Sequence, residues 1–213
     1  MGQRRRIISQ DRVGISKEAK IKIVIAVEGK NNKTESLYFK NFENRYSPFS
    51  IAIASGNDTD PVKLVKSLEK AIKIKGVDLT QGDIAYVIFD TDTNPNKNKS
   101  IAEARKYASK IGIKVITSAP CFELWLLLHY VFTSSFMDNK EVYNALKQYC
   151  SKYTKNYNIF SDIFPNVNEA IKNAKRLEQE HIRNGCKIGN VEANPNTEVY
   201  KIVESLMNYN NNK

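Results

Sequence analysis

The sequence has few cysteines and no long hydrophobic segment. Cys121, Cys150 and Cys186 are widely spaced, odd in number and form no CxxC motif, so we expect neither a disulfide framework nor a zinc knuckle. The longest apolar stretch, residues 124–132, is far too short to cross a bilayer. The basic start MGQRRRIISQDR is not followed by an apolar segment and does not resemble a secretory signal. These features predict a protein of the reducing cytoplasm that has no membrane partner.

Acidic residues are also in short supply relative to basic ones. The 213 residues include 33 Lys and Arg against 23 Asp and Glu, which gives a formal net charge of +10 and a pI near 9.4. Such a charge favours an acidic partner, of which nucleic acid and an anionic membrane surface are the usual examples. The alternative is a basic protein from a proteome rich in Lys and Asn, and charge alone does not separate the two. The content of hydrophobic residues, 41%, is ordinary for a folded globular domain.

From residue 21 to residue 133, short β-branched segments alternate with segments that carry apolar residues at helical spacing. Asp60-Pro61 is a strong helix start, and Ser100 with Glu103 has the spacing of a capping box. Strands separated by single helices are joined most simply by right-handed crossovers, which makes the sheet mainly parallel. The fold class is therefore α/β, with a sheet of about four strands flanked by helices. Strands are predicted at residues 21–27, 50–54, 84–89 and 114–118, and helices at 34–46, 61–75, 100–111 and after Pro120.

The pattern changes to helices alone from about Asp138. Helices are predicted at residues 138–153, 167–183 and 197–208, and an aromatic loop at 157–164. Asp138 and Glu141 have the spacing of a second capping box. The predicted organisation is a basic flexible arm at 1–18, a core at 19–133 and a helical C-terminal region at 134–213 that packs on the core.

The third strand ends in two acidic residues one position apart, in the segment DIAYVIFDTDTN. In an open parallel sheet, ligands bind outside the carboxyl ends of the strands. Residues i and i+2 of an extended segment point to the same side, so Asp90 and Asp92 should converge and repel unless a cation lies between them. Oxygen ligands suit Mg²⁺ or Mn²⁺. The alternative is that both are ordinary turn residues, and Glu28, which follows the first strand in the same way, weighs against it.

The order of these motifs resembles a known family. Glu28-Gly29 and Asp90-Thr91-Asp92 look like the Toprim pattern of topoisomerases, primases, OLD-type nucleases and RNase M5-like nucleases. The full ordered set resembles the RloB-like family more closely, over most of residues 21–205. That set is Glu28-Gly29, Thr34-Glu35, Tyr38-Phe39, Asp90-x-Asp92, PCFELWLLLH from Pro120 to His129, and Asn194-Pro195-x-Thr197.

The resemblance implies a Toprim-like, nuclease-type core in bacterial defence against phage, often encoded with a partner ATPase. By matching position, it implies an acid/base or metal-linked role for Glu28 and Mg²⁺ binding by Asp90 and Asp92. The chain has no glycine-rich P-loop, so ATP hydrolysis would come from the partner. We therefore expect metal-dependent cleavage of DNA or RNA. The alternatives are a nucleotide- or nucleic-acid-binding sensor subunit, and a protein-interaction subunit with a vestigial acidic cluster.

Glu35, Glu123 and His129 are the remaining candidates for catalysis or metal binding. Glu35 is a possible fourth acidic ligand, although the dipole of its helix also favours a carboxylate there. Glu123 and His129 interrupt an otherwise apolar segment, and a buried polar group needs a partner. They are about 240° apart around an ideal helix, so they should not share a face. Both are expected to belong to the site, and the alternative for Glu123 is helix capping.

Four residues are candidates for substrate binding. Lys30 and Lys33 lie beside Glu28 and could steer or neutralise phosphates. Asn194 and Thr197 could contact substrate, but Thr197 also has the position of an N-cap for the last helix.

Overall fold

The computed structural model describes residues 20–28, 34–54 and 58–211, and these form an α/β fold with one sheet. Four parallel strands run in the order β2-β1-β3-β4, and the short β5 pairs with β4 in the antiparallel direction. The prediction of a mainly parallel sheet of about four strands is confirmed. The strands are β1 Ile21–Val27, β2 Phe49–Ala54, β3 Ile84–Asp90, β4 Lys114–Ala119 and β5 Asn196–Thr197.

Helices cover both faces of the sheet. They are α1 Thr34–Lys40, α2 Pro61–Ile74, α3 Lys97–Lys110, α4 Glu123–Leu127, α5 Asn139–Tyr149, α6 Phe160–Ile163, α7 Val167–Arg183 and α8 Val199–Asn211, with 3-10 turns at Phe164–Asn166 and Val191–Ala193. None of the helices in residues 20–28, 34–54 and 58–211 has the length and apolar character to span a bilayer.

Alternate residues of β1 supply two separate cores. Val24 and Ala26 pack with α2 and α3 on one face of the sheet. Ile23 and Ile25 pack on the other face, in a larger core to which α1, α4, α7 and α8 contribute. Burial on both faces explains why β1 is apolar along its length, as expected for a parallel strand. The larger core joins the sheet to the C-terminal helices, so the packing places that region against the sheet.

The helix caps predicted at Asp60 and Asp138 are confirmed. The side chain of Asp60 accepts a hydrogen bond from the backbone N of Lys63 at 2.9 Å. Asp138 and Glu141 form a complete capping box at the start of α5. Both caps pair N–H groups that would otherwise lack partners in the first turn.

The capping box predicted at Ser100 is wrong. Helix α3 begins at Lys97, and the Ser100 hydroxyl donates to the backbone carbonyl of Lys97 at 3.0 Å inside the helix. A turn at Asn94-Pro95 starts the helix earlier, since the N of Lys97 donates to the carbonyl of Asn94 at 3.0 Å. Proline favours the entry to a helix because it has no N–H to satisfy.

Other boundaries also differ from the predictions. Helix α1 ends at Lys40 rather than near residue 46, α4 is a single short helix, and α6 lies within the predicted aromatic loop. The C-terminal region is not made of helices alone, because β5 joins the sheet beside β4. The predicted basic arm at residues 1–18 lies outside the described residues, and the division of the chain into regions stays a prediction.

Candidate acidic site

An acidic cavity of about 220 Å³ lies at the carboxyl ends of β1 and β3. Five carboxylates line it, and each had been singled out from the sequence. They are supplied by the end of β1, the first turn of α1, the end of β3, the following turn and the start of α4. In chain order these residues are Glu28, Glu35, Asp90, Asp92 and Glu123.

The ionisation of Asp90 is strongly disturbed in this cavity. Loss of solvation raises the pKa of its carboxyl well above the ordinary value, and the charges of Glu35, Glu123, Glu28 and Asp92 raise it further. A bound cation would oppose the same effect, because an opposite charge favours the ionised carboxylate.

Asp92 does not continue the extended segment, contrary to the prediction that its side chain follows that of Asp90. Its φ is 51°, in the left-handed region that Asp tolerates better than most residues. The turn is held against β4, since the N of Thr91 donates to the carbonyl of Ser118 at 2.8 Å and the N of Asp92 to that of Pro120 at 2.9 Å. The two carboxylates line the same cavity through this turn rather than through strand periodicity.

Lys97, which no motif of the sequence indicated, supplies a positive charge to the acidic residues. Its Nζ lies 2.5 Å from Asp92 Oδ2 and 3.8 Å from Glu28 Oε1, and it donates to the backbone carbonyl of Asp90 at 3.2 Å. Partial burial would lower the pKa of Lys97, but the hydrogen bond to Asp92 and the neighbouring negative charges raise it instead. The ammonium is therefore the counter-ion of Asp92 and Glu28. An earlier helix start, read from Asn94-Pro95, would have pointed to it.

Asp92 has a second partner on α5. Asn139 Nδ2 donates to Asp92 Oδ1 at 2.7 Å. Each carboxylate oxygen of Asp92 is thus held by a different helix, because Lys97 belongs to α3 and Asn139 to α5. This arrangement fixes the orientation of the side chain.

Glu123 is buried at the wall of the cavity, with 6% of its surface exposed. Its Oε1 accepts a hydrogen bond from the hydroxyl of Tyr153 at 3.1 Å and lies 3.9 Å from Lys155 Nζ. The Tyr153 hydroxyl lies 3.0 Å from Thr34 Oγ1, so α1 supports the same contact. The charge of Glu123 is the main cause that raises the pKa of Lys155. Glu123 is a cavity residue with its own positive neighbour.

His129 lies in the core rather than at the cavity. Its Nδ1 is 2.9 Å from the carbonyl of Trp125, and its ring packs edge-on against Trp125 and Tyr38. Burial lowers the pKa of His129 to about 4, so the ring is neutral at pH 7. It does not line the cavity, and its position does not favour the predicted catalytic role.

Asn194 and Thr197 make structural contacts. The amide of Asn194 donates to the carbonyl of Met137 at 2.7 Å and accepts from the N of Met137 at 3.2 Å. Thr197 Oγ1 lies 2.8 Å from Ser118 Oγ and accepts from the N of Val199, which starts α8. The side-chain amide of Asn194 and the hydroxyl of Thr197 are thus already hydrogen-bonded within the protein, which does not favour the predicted contact with substrate. Lys30 and Lys33 lie outside the described residues.

The donor set at the cavity has the chemistry that a hard divalent cation prefers. Carboxylate oxygens suit Mg²⁺ and Mn²⁺, and burial together with the neighbouring carboxylates raises the pKa of Asp90. As the side chains are placed in residues 20–28, 34–54 and 58–211, no three His, Cys, Asp or Glu residues are grouped closely enough to hold a metal ion.

Residues 23–206 match the model of the family described as RloB-like protein. The matched segment contains all five carboxylates of the cavity together with Lys97. The chain therefore belongs to the RloB-like family. Comparisons with curated proteins and with solved structures found no match.

Proposed function

We propose that this member of the RloB-like family is a metal-dependent nuclease that cleaves phosphodiester bonds of DNA or RNA. The observation that carries the proposal is the cavity at the ends of β1 and β3, which five carboxylates line and in which the pKa of Asp90 is strongly raised. Strongly shifted ionisation in a cleft is typical of functional sites. The resemblance to Toprim nucleases supports a cytoplasmic role in bacterial anti-phage defence, together with a partner ATPase.

Asp90, Asp92 and Glu35 are the residues that would hold Mg²⁺ or Mn²⁺. Bound there, the cation would stabilise negative charge on the scissile phosphate. The contacts of Asp92 with Lys97 and Asn139 orient its carboxylate before any ligand arrives. Such orientation reduces the reorganisation that the transition state requires.

Glu28 and Glu123 are the candidate proton acceptors. A general base must lie within reach of the water that it activates, and both side chains line the cavity. Glu28 lies 3.8 Å from Lys97 and Glu123 lies 3.9 Å from Lys155. Each of the two carboxylates therefore has an ammonium group as its neighbour.

A sensor subunit is the second candidate function. The observation that favours it is Lys97, whose ammonium already neutralises part of the charge of Asp92 and Glu28. In that case the cavity binds a nucleotide or a nucleic-acid end, and the partner ATPase delivers the effect. A sensor would bind the nucleotide or nucleic-acid end tightly but would not cleave it.

The test compares the wild type with Asp90→Asn, in which the shape of the side chain is kept and the charge is removed. We expect calorimetry to show binding of Mg²⁺ or Mn²⁺ to the wild type, and we expect binding and cleavage of labelled tRNA, single-stranded DNA or duplex DNA to be lost together in the variant. Glu103→Gln is the matched control, because Glu103 is exposed on α3 and does not line the cavity. Cleavage by Asp90→Asn at the wild-type rate would refute the proposal, and metal binding without cleavage would favour the sensor.

A further inference from the structure

A second cavity, of about 350 Å³, adjoins the acidic one. The two share Asp90, Glu123, Asn139 and Lys155, so they form a continuous space. Its remaining wall differs in character, because it is built by Lys140 and Tyr143 of α5 and by Cys121. The acidic cavity is therefore continuous with a space that has a basic and aromatic wall.

Two ammonium groups line this second cavity. Lys140 is exposed in the first turn of α5, and Lys155, in the segment after α5, has a side chain that is 65% exposed. Lys155 is close to a carboxylate of the acidic cavity, since its Nζ lies 3.9 Å from Glu123. An anion that reaches the carboxylates from this side therefore passes two positive charges.

Tyr143 supplies an aromatic ring to the same cavity. Its hydroxyl donates to the carbonyl of Tyr153 at 3.4 Å, and the two rings lie 5.7 Å apart. The ring is only partly buried, so it is held in place while part of it still faces the cavity. Burial raises the pKa of the Cys121 thiol well above its usual range, so Cys121 adds no negative charge.

We propose that this second cavity, lined by Lys140, Tyr143 and Lys155, binds one nucleotide of an unpaired nucleic-acid strand next to the scissile phosphate. The inference rests on the proposed function and names its substrate class. At about 350 Å³ the space is near the lower end of ligand pockets, roughly 300 to 1,000 Å³, a size that suits a single nucleotide. The lysines pair with flanking phosphates, and the ring of Tyr143 stacks on the base, as in other single-strand binders.

The test measures binding rather than cleavage. Fluorescence anisotropy with the full chain in metal-free buffer compares labelled single strands of about 12 nucleotides, RNA and DNA, with the matching duplexes. We expect single strands to bind about tenfold more tightly than duplexes. Lys140→Ala and Lys155→Ala should each weaken single-strand binding about fivefold and reduce the salt slope by about 0.7, and Tyr143→Leu should weaken it about fivefold.

Lys110→Ala is the matched control, because Lys110 is exposed at the end of α3 and lines neither cavity. It should bind single strands as the wild type does. Thermal denaturation checks that each variant is folded, and Lys140→Glu, at an exposed position, gives a second substitution if Lys155→Ala is unstable. Wild-type affinity in the lysine variants, or tighter binding of duplex, would overturn the inference.

The two proposals fail in different ways. If Asp90→Asn abolishes cleavage while the lysine variants bind single strands normally, the nuclease stands and the nucleotide site is wrong. If single strands bind through Lys140 and Lys155 but no metal supports cleavage, the nucleotide site stands and the nuclease is wrong.

Discussion

The protein has two groups of acidic side chains at the sheet, and they differ in the charges that surround them. Glu198, where the chain leaves β5, has 4% of its surface exposed. It accepts hydrogen bonds from Thr117 Oγ1 at 2.7 Å and Lys201 Nζ at 2.9 Å, and it pairs with Arg105. Burial alone would raise the pKa of Glu198, but the charges of Arg105 and Lys201 outweigh it and lower the pKa.

Asp90 at the end of β3 shows the opposite outcome. Among the described residues, the ion pairs of the cavity reach Glu28, Asp92 and Glu123 but not the carboxylate of Asp90. Its pKa is raised by lost solvation and by other carboxylates. Glu198 is held by two cations as part of the structure, whereas Asp90 has a raised pKa in a cleft, which is typical of functional sites. The comparison separates a structural acid from a candidate functional one.

The largest effect is expected from Arg105→Ala at the structural group. Removing one partner of a buried ion pair leaves the other charge uncompensated, which costs about 3 kcal/mol even with Lys201 still present. Chemical denaturation should show this loss in the free energy of unfolding. Lys110→Ala on the same helix should change the free energy of unfolding little. Wild-type stability of Arg105→Ala would show that Glu198 does not depend on this ion pair.

A smaller effect is expected from Lys97→Met, on metal affinity. The variant removes the counter-ion of Asp92 and Glu28, so the cavity becomes more negative and should bind Mg²⁺ about tenfold more tightly, well below the bare Coulomb energy. Calorimetric titration measures the change, with Lys99→Met as the control because Lys99 is exposed on the same helix. Weaker binding would show instead that Lys97 chiefly positions Asp92.

The smallest effect is expected from Asp90→Asn, on the free energy of unfolding measured in the absence of metal. Because the folded state raises the pKa of Asp90, it binds the proton more tightly than the unfolded chain does, and ionisation at neutral pH opposes folding. The variant should therefore be more stable at pH 7 by about 1 kcal/mol, a usual size for one stabilising substitution.

The same difference has a definite pH dependence. It should disappear as the pH falls below the ordinary pKa of aspartic acid, because the carboxyl is then protonated in both states. Denaturation curves of the wild type and Asp90→Asn over this range measure it. Glu198→Gln should show the reverse, a loss of stability at pH 7, since the folded state lowers the pKa of Glu198. If Asp90→Asn and Glu198→Gln changed stability at pH 7 in the same direction, the distinction between Asp90 and Glu198 would be wrong.

Much of the fold was predictable because its signals are local. The strand Ile21–Val27 and the helix Val167–Arg183 have the predicted bounds. The start of α2 follows from Asp60-Pro61, whose side chain and ring act within one turn. The position of Glu28 and Asp90 at one edge followed from the rule that parallel strands present their carboxyl ends together.

Contacts between distant segments were not predictable. Strand β5 exists because residues 196–197 pair with residues 118–119 of β4. A segment of two residues has no sequence pattern that predicts such pairing. Asn194 meets Met137, 57 residues away in the chain. His129 was expected at the site, but the short α4 turns it into the core against Trp125 and Tyr38.

The sequence by itself determined the α/β class, the strand ends that carry acidic residues and the helix caps at Asp60 and Asp138, since each depends on neighbours in the chain. Only the tertiary structure decided which acids are neutralised. Lys97 compensates Asp92 and Glu28, while Arg105 and Lys201 compensate Glu198. The pKa of a carboxyl depends on its solvation and on charges within a few ångströms. Folding sets both, because it brings together residues that are far apart in the chain.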